Sequence, residues 1–180
     1  AMPRQGDIEA ISVSAHLYNP LLYLAKGNVE IGISPVALNE DELKFVKALH
    51  KHISDHATYF ADKELYLIRN RSKKGIGFFD DAGFYPDFIL WLIADDKQFI
   101  TFIDPHGMGR ESITSNKVGV FARLKDDIES TLTIPSVVLT SFILSPTKHS
   151  ELADKSATIE EWNARHVLFM DGSDYIEDLF

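Results

Sequence analysis

Two aspartates occupy positions from which they could act together on one ion. The tetrapeptide Ala94-Asp95-Asp96-Lys97 separates two apolar stretches and is typical of a tight hairpin turn. With a two-residue turn at Asp95-Asp96, Asp87 lies directly opposite Asp104. Directly opposed residues have β-carbons about 5 Å apart. The hairpin register therefore predicts two carboxylates side by side at the open end of the hairpin.

Such a carboxylate pair is costly unless its charge is compensated. Two charges about 5 Å apart repel by roughly 3 kcal/mol at an effective dielectric constant near 20. Either one carboxyl group keeps its proton or a cation lies between the two. Because oxygen ligands suit Mg²⁺ and Mn²⁺, we expect Asp87 and Asp104 to bind one of these ions. The alternative is that both are strand-end acids exposed to water.

Two residues that follow Asp104 extend this candidate site. Pro105 has no N–H group but keeps a carbonyl oxygen that can face a metal ion, and proline suits the end of a strand. His106 lies two residues after Asp104, which places it on the same face if the strand continues. We therefore consider Pro105 a candidate metal ligand and His106 a candidate catalytic residue.

Glu42 admits two interpretations. It lies on the same helical face as Val46 and Leu49, where an inward-pointing acid is unusual, and this favours a functional role. It also lies three residues after Asn39, which is the capping-box relation at the start of a helix. The sequence leaves both roles open.

The densest positive cluster in the chain directly precedes the strand of Asp87. It spans residues 69–74 and could contact the phosphate groups of a nucleic acid or form a solvated loop. The candidate DNA-binding residues in it are Arg69, Arg71, Lys73 and Lys74.

Three histidines, His50, His52 and His56, invite comparison with a zinc site, because the last two are four residues apart. No acid or histidine at matching helical spacing completes a ligand set. The pattern therefore favours a solvated helix face.

The composition restricts the class of protein. The 180 residues carry 18 basic and 27 acidic side chains, a net charge of −9, and are 45% hydrophobic, which is ordinary for a globular domain. Because there is no cysteine, disulfides, zinc–thiolate sites and thiol nucleophiles are excluded. No apolar run reaches the roughly 18 residues of a membrane span, and no signal peptide is recognisable, so we expect a cytoplasmic protein.

The pattern of elements that positions these residues predicts an α/β fold. We expect one domain over residues 1–180, with a β extension or linker from an upstream domain at 1–35 and a core at 36–180. In the core, a helix from Asn39 to about His56 precedes three strands, at 65–68, 86–93 and 98–104. The last two form the hairpin, which pairs Trp91 with Ile100 and Ile89 with Phe102. The remaining predicted elements are strands at 137–144 and 166–170 and helices at 118–132 and 159–164. The strand at 137–144 should run parallel to the one before it, since a helix separates them.

A family resemblance rests on two stretches of this sequence. Residues 75–107 read GIGFFDDAGFYPDFILWLIADDKQFITFIDPHG, and residues 33–49 read ISPVALNEDELKFVKAL. Both resemble the PD-(D/E)xK nuclease superfamily with its restriction-endonuclease-like fold, and most closely the nuclease domain at the C-terminal end of type III restriction-type DEAD/DEAH helicases. The resemblance implies a mixed central sheet flanked by helices with an αβββαβ core. It also implies that this chain is the C-terminal fragment of a larger helicase-nuclease, and Ala1 before Met2 is typical of a cloning scar.

The resemblance assigns roles to individual residues. It implies that Asp87 and Asp104 bind the metal ion, that the carbonyl of Pro105 is a further ligand, and that Glu42 approaches the ion directly or through water. His106 stands where the family has a lysine that orients the attacking water and stabilises charge on the phosphate. A histidine there could bind metal or act as a base, and Lys73 or Lys74 could supply the missing ammonium group.

Three functions follow as hypotheses. The first is a Mg²⁺- or Mn²⁺-dependent DNA endonuclease coupled to an upstream helicase motor, with a modification or specificity subunit as a further partner. The second is a catalytically decayed nuclease fold that binds DNA or docks onto the motor, which the histidine at position 106 suggests. The third is a metal-dependent hydrolase of a small phosphate ester.

Overall fold

The computed structural model of the protein describes residues 8–11, 21–24, 37–70, 85–119, 134–172 and 174–180. These residues form a two-stranded antiparallel sheet and a five-stranded mixed sheet with helices on both faces. The strands are β1 (Ile8–Ile11), β2 (Leu21–Leu24), β3 (Glu64–Arg69), β4 (Phe88–Ala94), β5 (Lys97–Pro105), β6 (Val137–Ser145) and β7 (Val167–Phe169). The helices are α1 (Glu40–Asp55), α2 (Ala57–Phe60) and α3 (Ile159–Asn163), with 3₁₀ turns at His149–Glu151 and Glu177–Leu179. The predicted α/β class is confirmed.

The five-stranded sheet has the order β3-β4-β5-β6-β7. Neighbouring strands β3, β4 and β5 are antiparallel, whereas β5, β6 and β7 are parallel. The predicted parallel pairing of the third and fourth core strands is thereby confirmed. Because β5 lies at the centre, it has a neighbour on each side and is buried over its last five residues.

The hairpin between β4 and β5 has the register that the sequence predicts. Ile89 is paired with Phe102 and Trp91 with Ile100. Asp95 and Asp96 both have positive φ, 50° and 60°, the backbone conformation of a type I′ turn, whose twist matches that of the flanking strands. The two-residue turn therefore fixes the register of the whole ribbon.

Helix α1 begins where the capping box predicts. The side chain of Asn39 accepts hydrogen bonds from the backbone N–H groups of Asp41 and Glu42, each at 2.9 Å. Its own backbone N–H donates to Oε2 of Glu42 at 2.8 Å. These bonds satisfy N–H groups that have no partner within the helix. The apolar stripe of α1 then packs on one face of the sheet; its buried members are Phe45, Val46, Leu49 and Ile53.

The opposite face of the sheet is covered at its parallel end. Residues 116–119 are helical, and Val118 packs there against Ile143 of β6 and Trp162 of α3. Helix α3 has its own capping box, in which Thr158 and Glu161 exchange hydrogen bonds. Helices on both faces of a sheet explain why β4, β5 and β6 are apolar at consecutive positions.

Several predicted elements differ from the structure or lie beyond it. Helix α2 and the two 3₁₀ turns were not predicted, and the boundaries of the other elements shift by one or two residues. The strands β1 and β2 fall within the predicted N-terminal β extension. The rest of this extension up to residue 35, and residues 120–132 of the helix predicted at 118–132, lie outside the described residues. Within the described residues, no helix combines the length and apolar character needed to cross a bilayer.

Candidate metal-binding carboxylate pair

Asp87 and Asp104 are brought together at the open end of the β4–β5 hairpin. The ladder ends with Phe88 opposite Ile103, and one further step places Asp87 opposite Asp104. Phe88 and Ile103 belong to the core under α1, so the two aspartates project from the opposite face of the sheet, because side chains alternate along a strand. The backbone of Asp87 is held in place by Asn70, whose N–H donates to the Asp87 carbonyl at 2.8 Å.

The two carboxyl groups lie close enough for their charges to interact. The pKa of Asp87 is raised to about 7, mainly because burial penalises the carboxylate and then because of the negative charge of Asp104. The hydrogen bond to Asp104 and the charge of Glu42 raise it further, while Arg69 opposes the shift. Asp104 itself is only 7% exposed. The pair therefore holds a proton near neutral pH, or would accept a cation in its place.

A lysine that the sequence did not single out contacts this pair. Nζ of Lys117 lies 2.6 Å from Oδ2 of Asp104, in an ion pair that is largely shielded from water. Lys117 belongs to the helical residues 116–119, which cover the same face of the sheet as Asp104. The site thus contains an ammonium group, although none follows Asp104 along the strand.

His106 lies next to the same charges. Its backbone N–H donates to the carbonyl of Leu144 at 3.0 Å, which continues the pairing with β6 beyond the end of β5. Burial lowers the pKa of the His106 imidazole, and the positive charge of Lys117 lowers it further, against the attraction of Asp104 and Glu111. The imidazole is therefore neutral at pH 7, which suits a base or a ligand better than a substitute for lysine.

Glu42 forms an internal ion pair with Arg69. Its Oε2 accepts from Nη2 of Arg69 at 2.9 Å and from the backbone N–H of Asn39 at 2.8 Å. Glu42 is 4% exposed, and the Arg69 side chain is 11% exposed. The structure thus supports the capping role of Glu42 and brings its charge close enough to raise the pKa of Asp87. Whether Glu42 also serves a metal ion stays a prediction.

Arg69 requires a correction to its predicted place. The sequence grouped it with a polar loop and with phosphate contacts, but Arg69 is the last residue of β3. Its guanidinium lies 5.7 Å from the centre of the Phe88 ring and pairs with Glu42. The physical reason is that a buried glutamate needs a buried cation, so Arg69 faces inward instead of presenting its charge to solvent.

The remaining predicted site residues divide into two groups. Pro105 is buried at the end of β5, beside Asp104 and paired with Leu144, and a role for its carbonyl as a ligand stays a prediction. The other members of the basic cluster lie outside the described residues: Arg71, Lys73 and Lys74.

The donor set suits a hard divalent cation. Asp87 and Asp104 offer carboxylate oxygens at one point, and burial together with mutual repulsion leaves Asp87 short of compensating positive charge. Mg²⁺ and Mn²⁺ prefer such oxygen ligands and relieve such repulsion. The residues present therefore fit one of these ions, with Asp87 and Asp104 as its ligands.

The position of Lys117 could have been inferred from one electrostatic signal. A cation in the first turn of a helix is repelled by the positive end of the helix dipole. A lysine directly before the apolar stripe that starts at Val118 therefore calls for an acidic partner, and Asp104 ends the preceding strand. Lys73 and Lys74, which the sequence favoured for this role, lie outside the described residues.

Comparisons with known proteins give no relative for this chain: no family model, no curated protein and no solved structure matches it.

Proposed function

We propose that the chain is a Mg²⁺- or Mn²⁺-dependent DNA endonuclease domain of the PD-(D/E)xK class. One observation carries the proposal: Asp87, directly before β4, and Asp104, in β5, lie close enough for the charge of Asp104 to raise the pKa of Asp87, while Lys117 pairs with Asp104. Two carboxylates and an ammonium group are the side chains that the resemblance requires for hydrolysis of a phosphodiester. The lysine comes from the following helix and not from the position of His106.

The order of the elements supports a restriction-endonuclease-like fold. Helix α1 and the short α2 are followed by three antiparallel strands, a helical stretch at residues 116–119 and a parallel strand, which corresponds to the expected αβββαβ order. In this order the two aspartates come from the second and third core strands. We therefore treat residues 36–180 as the nuclease core and the preceding residues as an extension from an upstream domain.

Each side chain then has a distinct part in the proposed reaction. Asp87 and Asp104 would hold a divalent ion, which would supply positive charge to the scissile phosphate and lower the pKa of a water molecule. Lys117 would offer further positive charge to the phosphate oxygens. His106, neutral at pH 7, would accept a proton from the attacking water.

The partners in this proposal are DNA and a helicase motor upstream in the same polypeptide, with a modification or specificity subunit as a further candidate. The net charge of −9 disfavours broad contact with DNA, so binding should depend on a local positive surface. Arg71, Lys73 and Lys74 are the proposed phosphate contacts. Arg69 is omitted because its charge is already paired with Glu42.

The test is a DNA cleavage assay with Mg²⁺ or Mn²⁺ and with matched Asp→Asn variants. We expect cleavage by the wild type, and background activity for Asp87→Asn and Asp104→Asn. Asp96→Asn is the control, because Asp96 lies on the same hairpin about 25 Å away and asparagine tolerates its positive φ. Cleavage by Asp87→Asn and Asp104→Asn at the wild-type rate would contradict the proposal.

A second candidate function is a catalytically decayed nuclease fold that binds DNA or docks onto the motor. It is favoured by the ion pair of Asp104 with Lys117, which already compensates one of the two carboxylate charges. This alternative predicts salt-sensitive DNA binding and no cleavage with any divalent ion. Gain of cleavage by His106→Lys would then identify the missing lysine as the cause of the decay.

A further inference from the structure

A second cluster of potential ligands lies at the other end of α1. His52 and His56 are one helical turn apart, and Glu177 reaches them from the C-terminal 3₁₀ turn. One ligand atom from each of the three side chains lies within 4.8 Å of the others. Ten residues of helix, about 15 Å, separate Glu42 from His52, so this cluster is distinct from the carboxylate pair.

We propose that His52, His56 and Glu177 form a binding site for a divalent transition-metal ion of the zinc type. Two imidazole nitrogens and one carboxylate oxygen are a common set of protein ligands for Zn²⁺, with a fourth position left for water. The sequence argued against a metal here because no third ligand was found on the helix. The fold supplies it from a residue 121 positions beyond His56.

The tautomer of His56 is fixed in the form that a metal ion needs. Its Nδ1 lies 2.9 Å from the carbonyl oxygen of His52. Because a carbonyl oxygen can only accept, Nδ1 carries the proton and Nε2 keeps its lone pair. A hydrogen bond from the second ring nitrogen to a backbone carbonyl is the usual support for a metal-binding histidine.

The other two ligands are held in place by packing. The ring of His52 stacks on Phe180, with centroids 5.5 Å apart and planes within 8°, and lies edge-on to Phe60. Glu177 is exposed, but Tyr175, Ile176 and Leu179 beside it are buried in the core under α1. The C-terminal segment is therefore anchored.

Small side-chain rotations complete the site. Zn–N and Zn–O bonds of about 2.0–2.2 Å place tetrahedral ligand atoms roughly 3.4 Å apart. The three ligand atoms already lie within 4.8 Å of one another, and rotation of the exposed Glu177 side chain would bring them to this spacing. A bound metal ion would then link Glu177 to His52 and His56 at the end of α1 and stabilise the folded state.

The test is Zn²⁺ titration of the untagged chain by calorimetry, with Co²⁺ absorption as a probe of tetrahedral coordination. We expect one equivalent of tight binding, and a loss of affinity on the order of tenfold or more for His56→Gln and Glu177→Gln. A Zn²⁺ concentration about 100-fold above Kd should raise Tm of the wild type by roughly 5–10 °C. His56 and Glu177 are chosen because both are exposed, so the variants should fold.

Matched controls separate this site from other histidines and acids nearby. His50→Gln, an exposed histidine of the same helix, and Asp178→Asn, next to Glu177, should bind Zn²⁺ within about twofold of the wild type. The proposal is overturned if the wild type does not bind Zn²⁺, or if His56→Gln and Glu177→Gln bind it as the wild type does. The second outcome means adventitious binding elsewhere. Neither outcome depends on DNA cleavage.

Discussion

Replacing Asp87 by asparagine should stabilise the metal-free protein at alkaline pH. In the folded protein the pKa of Asp87 is raised to about 7 from a usual value of 3.8. The folded state therefore keeps a proton that the unfolded chain releases, and the free energy of unfolding falls as the pH rises from about 4 to about 7. Asparagine does not ionise, and its amide can still donate a hydrogen bond to Asp104. The variant therefore does not lose this part of its free energy of unfolding as the pH rises.

The difference in stability between Asp87→Asn and the wild type can be calculated from the rise in the pKa of Asp87. A rise of about three pKa units corresponds to roughly 4 kcal/mol at 1.36 kcal/mol per unit. Because Asp87 is only partly buried, solvent screening reduces this, and we expect about 2 kcal/mol. For a chain of this length such a difference corresponds to a Tm increase of roughly 4–8 °C for Asp87→Asn over the wild type at pH 8.

The assay is urea unfolding of wild type and Asp87→Asn in EDTA, at several pH values between 4 and 8. The difference between the two proteins should be close to zero near pH 4 and should grow to its full value by pH 8. Titrating groups that do not interact with Asp87 are common to both proteins and cancel in the comparison. Asp96→Asn, at the exposed turn of the same hairpin, should show no such pH dependence.

Divalent ions should reverse the order of stability. Added Mg²⁺ or Mn²⁺ binds the folded wild type at pH 8 and stabilises it, whereas Asp87→Asn has lost one ligand and gains less. An Asp87→Asn protein that is less stable than the wild type at pH 8 in EDTA would refute the electrostatic reasoning. So would a stability difference that does not change with pH.

Three further predictions concern the surroundings of the pair. Lys117→Met should lower the rate of any DNA cleavage by at least about 100-fold, and the protein should cleave DNA without the substitution His106→Lys. In Lys117→Met, an NMR titration should show a higher His106 pKa than in the wild type, because a neighbouring positive charge is removed. Glu42→Gln should lower the free energy of unfolding by about 3 kcal/mol, measured in urea, because Arg69 is left buried without its counter-ion. Asn39→Ala should cost about 1 kcal/mol in the same assay through loss of the helix cap.

The central hairpin could be predicted because its determinants are local. A two-residue turn at Asp95-Asp96 fixes which residues face each other, so the sequence alone predicts that Asp87 lies opposite Asp104. The capping box of Asn39 and Glu42 is equally local. In each case, turn chemistry or spacing of a few residues determines the geometry.

The partners of the site residues could not be predicted in the same way. Arg69 and Glu42 are 27 residues apart, and only the packing of α1 on β3 and β4 brings them together. Glu177 meets His52 and His56 through the return of the C-terminus to α1. Tertiary packing decides such contacts, so periodicity along one element cannot reveal them.

Burial and the distribution of charge at the site explain why the pKa of Asp87 is raised. Of the three acids whose charges interact there, Glu42 pairs with Arg69 and Asp104 pairs with Lys117. Burial of Asp87, and then the negative charge of Asp104, raise the pKa of Asp87. When Asp87 is ionised, the three acids and two cations carry a net charge of −1, and a divalent ion would change it to +1, which attracts a phosphodiester. A nuclease should therefore bind DNA more tightly with Mg²⁺ than in EDTA, whereas a decayed module should bind equally in both.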